Sequence, residues 1–196
     1  GKAANIVFAD ADIDAALDGV LLGYTLNQGE ECVQGTRLLV EAGIADSFVR
    51  QLAERSRKIR VGLPSDAEAD LGSLIHEQHM ESVLSYIKSG IDEGAELVIG
   101  GNRITENGLG KGFYVAPTIF SGVTPDMRIF REEIFGPVLA VTPFTTMEEA
   151  IALANDTNYG LGNGVWTKDI DKAIQVSRQL RSGTVYVNTF LETAVQ

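Results

Sequence analysis

The sequence predicts an α/β domain: an open, twisted, mostly parallel sheet with helices on both faces. Three observations point there. Short apolar runs alternate with helical stripes along the whole chain. The 196 residues are enough to bury one sizeable core. No internal repeat, low-complexity tract or linker divides them, so residues 1–196 read as one domain.

Ile13, Ala16, Leu17, Val20 and Tyr24 recur at helical spacing after the capping signals Asp10 and Asp12. Arg37 to Glu41 reads as a short buried strand. Phe48, Val49, Leu52 and Ile59 mark a second helix, stopped by Gly62 and Pro64. Met80, Val83, Leu84, Ile87 and Ile91 form the clearest amphipathic stripe, and Gly94 is its expected stop. Glu96 to Ile99 is a strand closed by Gly100 and Gly101, and the polar, Gly-rich stretch from Asn102 to Gly112 is an exposed loop. Phe113 to Phe120 and Val138 to Phe144 are further strands. Thr146 with Glu149 forms a capping box before Met147, Ala150, Ile151 and Ala154. A strand through Val165 and Trp166, a helix carrying Ile170, Ala173, Ile174 and Leu180, and a strand from Thr184 to Val187 complete the pattern.

Composition narrows the function. The net charge of -11 is spread along the chain, which opposes nucleic-acid binding, where clustered Lys and Arg must neutralise phosphates. The one basic run, Arg55 to Arg60, lies in a helical pattern and reads as a solvated face. No apolar run reaches the ~18 residues of a membrane span, and the first residues lack the pattern of a signal peptide. No membrane partner is expected. A single cysteine excludes an intrachain disulfide or a Cys-cluster metal site and fits a reducing, cytoplasmic compartment. The chain does not begin with Met and is expected to be part of something longer.

Three motifs fail on spacing. Gly110-Lys111 is followed by Gly112, and Thr105 stands where a phosphate-binding loop needs its first glycine. Gly160, Gly162 and Gly164 do not match a dinucleotide fingerprint and read as a turn. His76 and His79 are three apart, not four, with no evident third ligand, so they read as a surface pair at a helix start rather than a zinc site.

Asn27-Gln28-Gly29-Glu30-Glu31-Cys32 is different. It follows an apolar helix and precedes a strand, placing Cys32 on a loop at a sheet edge. Gly29 lets the chain turn tightly beside the thiol. A lone cysteine is more often a small buried hydrophobe. Glu30 and Glu31, if close and ionised, would raise the thiol pKa, so a reactive Cys32 needs a base. No convincing base is evident in these residues.

That segment, with Gly35-Thr36-Arg37-Leu38-Leu39-Val40, resembles the cysteine motif of the NAD(P)-dependent aldehyde dehydrogenases. Arg131-Glu132-Glu133-Ile134-Phe135-Gly136-Pro137-Val138 matches a second hallmark of that family. Shorter segments also follow in family order: Pro125 to Arg128, Ala154 to Asp156 with Tyr159 to Leu161, Gly164 to Thr167, and Gly183 to Asn188. The resemblance covers essentially the whole chain and implies the family's catalytic domain.

By that resemblance, the thiolate of Cys32 attacks an aldehyde to give a thiohemiacetal. Hydride then passes to NAD or NADP, and water hydrolyses the resulting thioester. The Cys32 N–H supplies half of an oxyanion hole. Glu133 bonds the nicotinamide ribose, and Phe135 packs near the nicotinamide ring. Glu31 and Val33 line the aldehyde tunnel, and Glu192 reaches its mouth. Two carboxylates there, Glu31 and Glu192, favour a cationic aldehyde. Glu30 and Gln34 depart from the commoner family residues beside the thiol.

The resemblance places the general-base glutamate just upstream of Gly1. The dinucleotide-binding domain and a C-terminal oligomerising segment are likewise expected outside the chain. The whole protein is therefore expected to be a homo-dimer or homo-tetramer, and the isolated piece inactive. Two other readings stay open: a CoA-acylating relative and a non-catalytic association module.

Overall fold

The computed structural model describes residues 1–191 of the chain. Seven strands and six helices follow one another as β1 (Ala4–Val7), α1 (Ile13–Thr25), β2 (Arg37–Glu41), α2 (Ala45–Ser56), α3 (Glu77–Asp92), β3 (Glu96–Ile99), β4 (Thr118–Ser121), α4 (Arg128–Arg131), β5 (Val138–Phe144), α5 (Met147–Asn155), β6 (Gly162–Trp166), α6 (Ile170–Gln179) and β7 (Thr184–Val187). The strands form one open sheet in the order β3-β4-β5-β2-β1-β6-β7. Only β3 runs antiparallel to its neighbour; the other pairings are parallel. Among the described residues no helix is long and apolar enough to cross a membrane.

Each face of the sheet carries its own core. Leu17, Val20 and Tyr24 of α1 and Phe48 and Leu52 of α2 cover Leu38, Val40, Val141 and Trp166. On the other face Met80, Val83 and Ile87 of α3, Ala150 and Ile151 of α5 and Val176 of α6 cover Ile6, Leu39, Phe120 and Ala140. Along β2 the side chains alternate, Leu38 and Val40 to one face and Leu39 to the other, as the two-residue period of a strand requires. The sheet is thus buried on both sides, the usual condition of parallel strands.

Helix starts follow the capping logic. Asp12 accepts from Ala15 N at the head of α1, and Asp169 accepts from Asp171 N and Lys172 N at the head of α6. Thr146 accepts from Glu149 N as expected, but Glu149 reaches back to the N–H and hydroxyl of Thr145, one residue before the cap, at 2.7 Å each. Gly94 ends α3 with φ of 94°, where a side chain would be strained.

Three elements differ from the sequence reading. β1 carries no strand signal because Ala4–Val7 is only four residues long and is interrupted by the polar Asn5. The strand expected from Phe113 shortens to Thr118–Ser121, with only an isolated bridge at Val115, since Pro117 has no N–H to give. The four-residue α4 is too short to leave a periodic stripe.

Candidate active site

Cys32 lies between α1 and β2. After Thr25 the chain turns through three successive left-handed residues, Asn27 (φ 51°), Gln28 (φ 60°) and Gly29 (φ 76°). Local bonds steady the turn: Glu30 N–H donates to Asn27 O (2.9 Å), and Asn27 Nδ2 donates to Glu30 O (3.0 Å). A Cβ on Gly29 would fall 2.3 Å from the Gly136 carbonyl and 2.4 Å from Gln34 Nε2. Glycine is therefore required twice over, by φ and by space. Gln34, a departure beside the thiol in the sequence, is buried, and its Nε2 donates to Tyr24 O (2.7 Å) and Gly136 O (3.3 Å). Its side chain ties the end of α1 to the second hallmark segment.

The thiol itself is free and exposed. The N–H groups of Glu31, Cys32 and Val33 meet no acceptor among the described residues, although other N–H groups of the loop are bonded. Glu31 and Val33 are half-buried. The crevice flanked by Lys2, Cys32, Arg37, Tyr159 and Asn163 has a volume of only about 10 Å³, the lower limit for one water. The described residues do not by themselves enclose an aldehyde.

The second hallmark is held from outside by ion pairs. Arg131 meets Asp156 through both guanidinium nitrogens (3.2 and 3.0 Å). Glu132 accepts from Tyr86 OH (2.8 Å) and Arg128 Nε (3.0 Å), while the Arg128 guanidinium stacks 4.2 Å over the Tyr86 ring. The Tyr86 hydroxyl and Arg128 hold the Glu132 carboxyl below the usual carboxylate range. Between these anchors and Gly136, Glu133 and Phe135 are left half-buried. Glu133 lies against Gly1, and Gly1 also packs against the Cys32 carbonyl. Phe135 is left-handed (φ 57°), an uncommon state for a bulky residue. Its carbonyl accepts from His79 Nε2 at 2.7 Å.

Two buried basic side chains lie beneath the loops. Arg37, fully buried, donates to the carbonyls of Lys2 (2.9 Å), Leu153 (2.8 Å) and Ala154 (2.8 Å) and lies 4.9 Å over the Phe130 ring. Burial lowers its pKa to about 10, with Asp156 opposing and Arg131 assisting. Lys2 is buried too, and its Nζ finds no partner among the described residues. Burial, then the Arg37 charge, lower its pKa to about 7.

These pieces share one end of the sheet. The segments entering β1, β2, β5 and β6 carry Lys2, Cys32, Glu133 with Phe135, and Gly160, so the site lies at the amino ends of parallel strands. Open α/β sheets more often bind ligands beyond the carboxyl ends. Of the residues singled out from the sequence, Cys32, Glu31, Val33, Glu133 and Phe135 fall on two touching loops. Glu192 lies outside the described residues. His79, read as part of a surface pair, is instead half-buried against Phe135. Lys2 and His79 went unnoticed. Arg37 left one signal, a charged residue heading an apolar strand.

Known proteins of this kind are numerous. The chain is 47% identical over 190 residues to a betaine aldehyde dehydrogenase of Bacillus subtilis, covering 97% of this chain and 39% of that protein. It is 46% identical to one from Mesorhizobium japonicum, covering 100% and 40%. Among solved structures, a betaine aldehyde dehydrogenase from Staphylococcus aureus in complex with NAD+ superposes with a TM-score of 0.97 at 40% identity, over 100% of this chain and 39% of that one. An NAD-dependent aldehyde dehydrogenase from Sinorhizobium meliloti gives 0.95 at 47% identity, over 99% and 38%. The chain thus spans about two fifths of the relatives it matches. The profile of the aldehyde dehydrogenase family matches residues 1–196, and the chain belongs to that family.

Proposed function

We propose that this chain is the catalytic domain of an NAD(P)-dependent aldehyde dehydrogenase, with Cys32 as its nucleophile. One observation carries the reading most: the only cysteine is free and exposed on a loop with unbonded N–H groups, packed against the loop of Glu133 and Phe135. Sulfur attack on an aldehyde carbon forms a C–S bond and moves the carbonyl electron pair onto oxygen. The Cys32 N–H, with no acceptor among the described residues, is available to that oxyanion. Hydrolysis of the later thioester regenerates the thiol and releases a carboxylic acid.

The residues present suit one end of a nicotinamide cofactor. A half-buried carboxylate, Glu133, accepts hydrogen bonds as ribose hydroxyls require, and a half-buried ring, Phe135, stands two residues away. The bound nicotinamide supplies the two-electron acceptor for the oxidation. Glu133 and Phe135 orient it, and the ion pairs of Arg131 and Glu132 fix their loop.

A cationic aldehyde is the proposed substrate class. Glu31 is half-buried beside Cys32, and the betaine aldehyde named for two of the relatives is itself a cation. A cytoplasmic homo-dimer or homo-tetramer is the proposed assembly. In the full-length protein, Cys32→Ala is expected to abolish NAD(P)-dependent aldehyde oxidation while leaving the fold intact by circular dichroism. Retained turnover, or no turnover in the wild type with any aldehyde, refutes the assignment. Equal kcat/KM for betaine aldehyde and a neutral aldehyde of equal length refutes the substrate class alone.

A further inference from the structure

The His76–His79 pair, whose spacing does not suit zinc, has a different use in the fold. His76 caps α3, its Nδ1 accepting from His79 N at 3.0 Å, which seats His79 in the first helical turn. The His79 side chain is only 18% exposed. Its Nε2 stands 2.7 Å from the Phe135 carbonyl, and because a carbonyl only accepts, Nε2 carries the proton. The same nitrogen is 3.5 Å from Glu30 Oε1. That carboxylate oxygen also accepts from Ile75 N at 3.2 Å, immediately before the cap. The ring of His79 meets the ring of Phe135 edge-on, with centroids 6.3 Å apart. The start of α3 therefore grips both hallmark loops at once: Phe135 on one, Glu30 on the other.

Phe135 needs such a grip. Its φ of 57° is unfavourable for a bulky side chain and persists only where the surroundings hold it. Its carbonyl, bonded to His79 Nε2, is one contact that does so. Glu30 is two residues from Cys32, so the same imidazole that holds the Phe135 backbone also bears on the nucleophile loop.

We propose that His79 is a positioning residue: its Nε2–H donates to the Phe135 carbonyl with the Glu30 carboxylate packed 3.5 Å away and held by Ile75 N, fixing the cofactor-side loop in register with the Cys32 loop. The proposal rests on the reading of Cys32 as nucleophile and Phe135 as a cofactor contact. It requires a donor at that point and not a charge.

The test uses the full-length protein with H79L, which removes the donor, and H79Q, whose amide restores one. Amide hydrogen exchange is read over residues 29–34 and 133–137, together with steady-state kinetics. H79L is expected to speed exchange in both segments by about tenfold or more. It is also expected to lower kcat/KM for the nicotinamide cofactor by about ten- to a hundred-fold, as a small misplacement of reacting groups does, with KM for the aldehyde changed by less than about twofold. H79Q should recover most of both. Unchanged exchange in H79L overturns the contact. Faster exchange with unchanged kinetics in an active enzyme overturns its positioning role. Equal damage in H79L and H79Q overturns the requirement for a donor. If the wild type oxidises no aldehyde while the exchange pattern holds, the contact stands and the dehydrogenase reading falls.

Discussion

Lys2 offers the most direct measurement of what this site demands of the fold. Its amine is buried without a partner among the described residues, and burial, reinforced by the Arg37 charge and opposed by Glu132, lowers its pKa from 10.5 to about 7. Between these two values the unfolded chain holds a proton that the folded chain has released. Stability therefore rises with pH across that window and is lowest at about pH 7 and below, where folding buries an ammonium ion. At about 1.4 kcal/mol per pH unit, the full gap corresponds to roughly 5 kcal/mol, an upper bound because water can reach the group as the structure relaxes. Lys2→Met keeps the length of the side chain and removes the ionisation. The variant is expected to be more stable than the wild type at pH 6, and its advantage to shrink by about 2–3 kcal/mol on going to pH 9. Urea unfolding of both proteins at the two pH values, with the slopes compared to establish equal surface exposure, reads this directly. A stability difference independent of pH, or a variant less stable at pH 6, would show that Lys2 has found a partner and refute the reasoning.

Substitutions at two further positions probe the loops and their support. Gly29→Ala places a Cβ 2.3 Å from the Gly136 carbonyl at a φ of 76°, costing about 1–2 kcal/mol in backbone conformation before any clash is relieved. It is expected to separate the two hallmark loops and lower kcat/KM of the full-length enzyme more than tenfold, with the circular dichroism spectrum preserved; wild-type turnover would refute the packing argument. Arg37→Met removes one donor from each of three carbonyl oxygens, of which Leu153 O keeps Asp156 N, and is expected to destabilise the fold by about 3 kcal/mol or more. Arg37→Lys should recover little of this, since a single ammonium cannot reproduce the planar fork. A urea midpoint within experimental error of wild type for either variant would count against the account.

What the sequence made legible, and what it hid, divides along physical lines. α3, with one face toward a core, carries its stripe openly, and Arg37–Glu41, buried on both faces, stands out instead as a continuous apolar run at the bounds expected for it. β1 was hidden because its run is only four residues long and is interrupted by Asn5, polar yet buried and accepting from Trp166 Nε1 at 3.0 Å. Cys32 stood out as the only cysteine, yet spacing alone gave it no partner, since its neighbours Glu133 and Phe135 lie some hundred residues away along the chain. Their meeting depends on β5 pairing with β2, which brings the loops entering those two strands side by side. Only the recognised motifs anticipated it. His79, Gln34 and Lys2 were hidden more deeply, because each acts through backbone carbonyls or through burial, neither of which leaves a residue pattern. The placement of the site at the amino ends of the strands follows from the same topology. Helix-to-strand connections enter β2 and β5 there, and each is locked before its strand begins, one by the glycine turn and Gln34, the other by Arg131, Glu132 and His79. Strand pairing then fixes the distance between two segments already rigid on their own, so an exposed thiol can sit on a loop without being mobile.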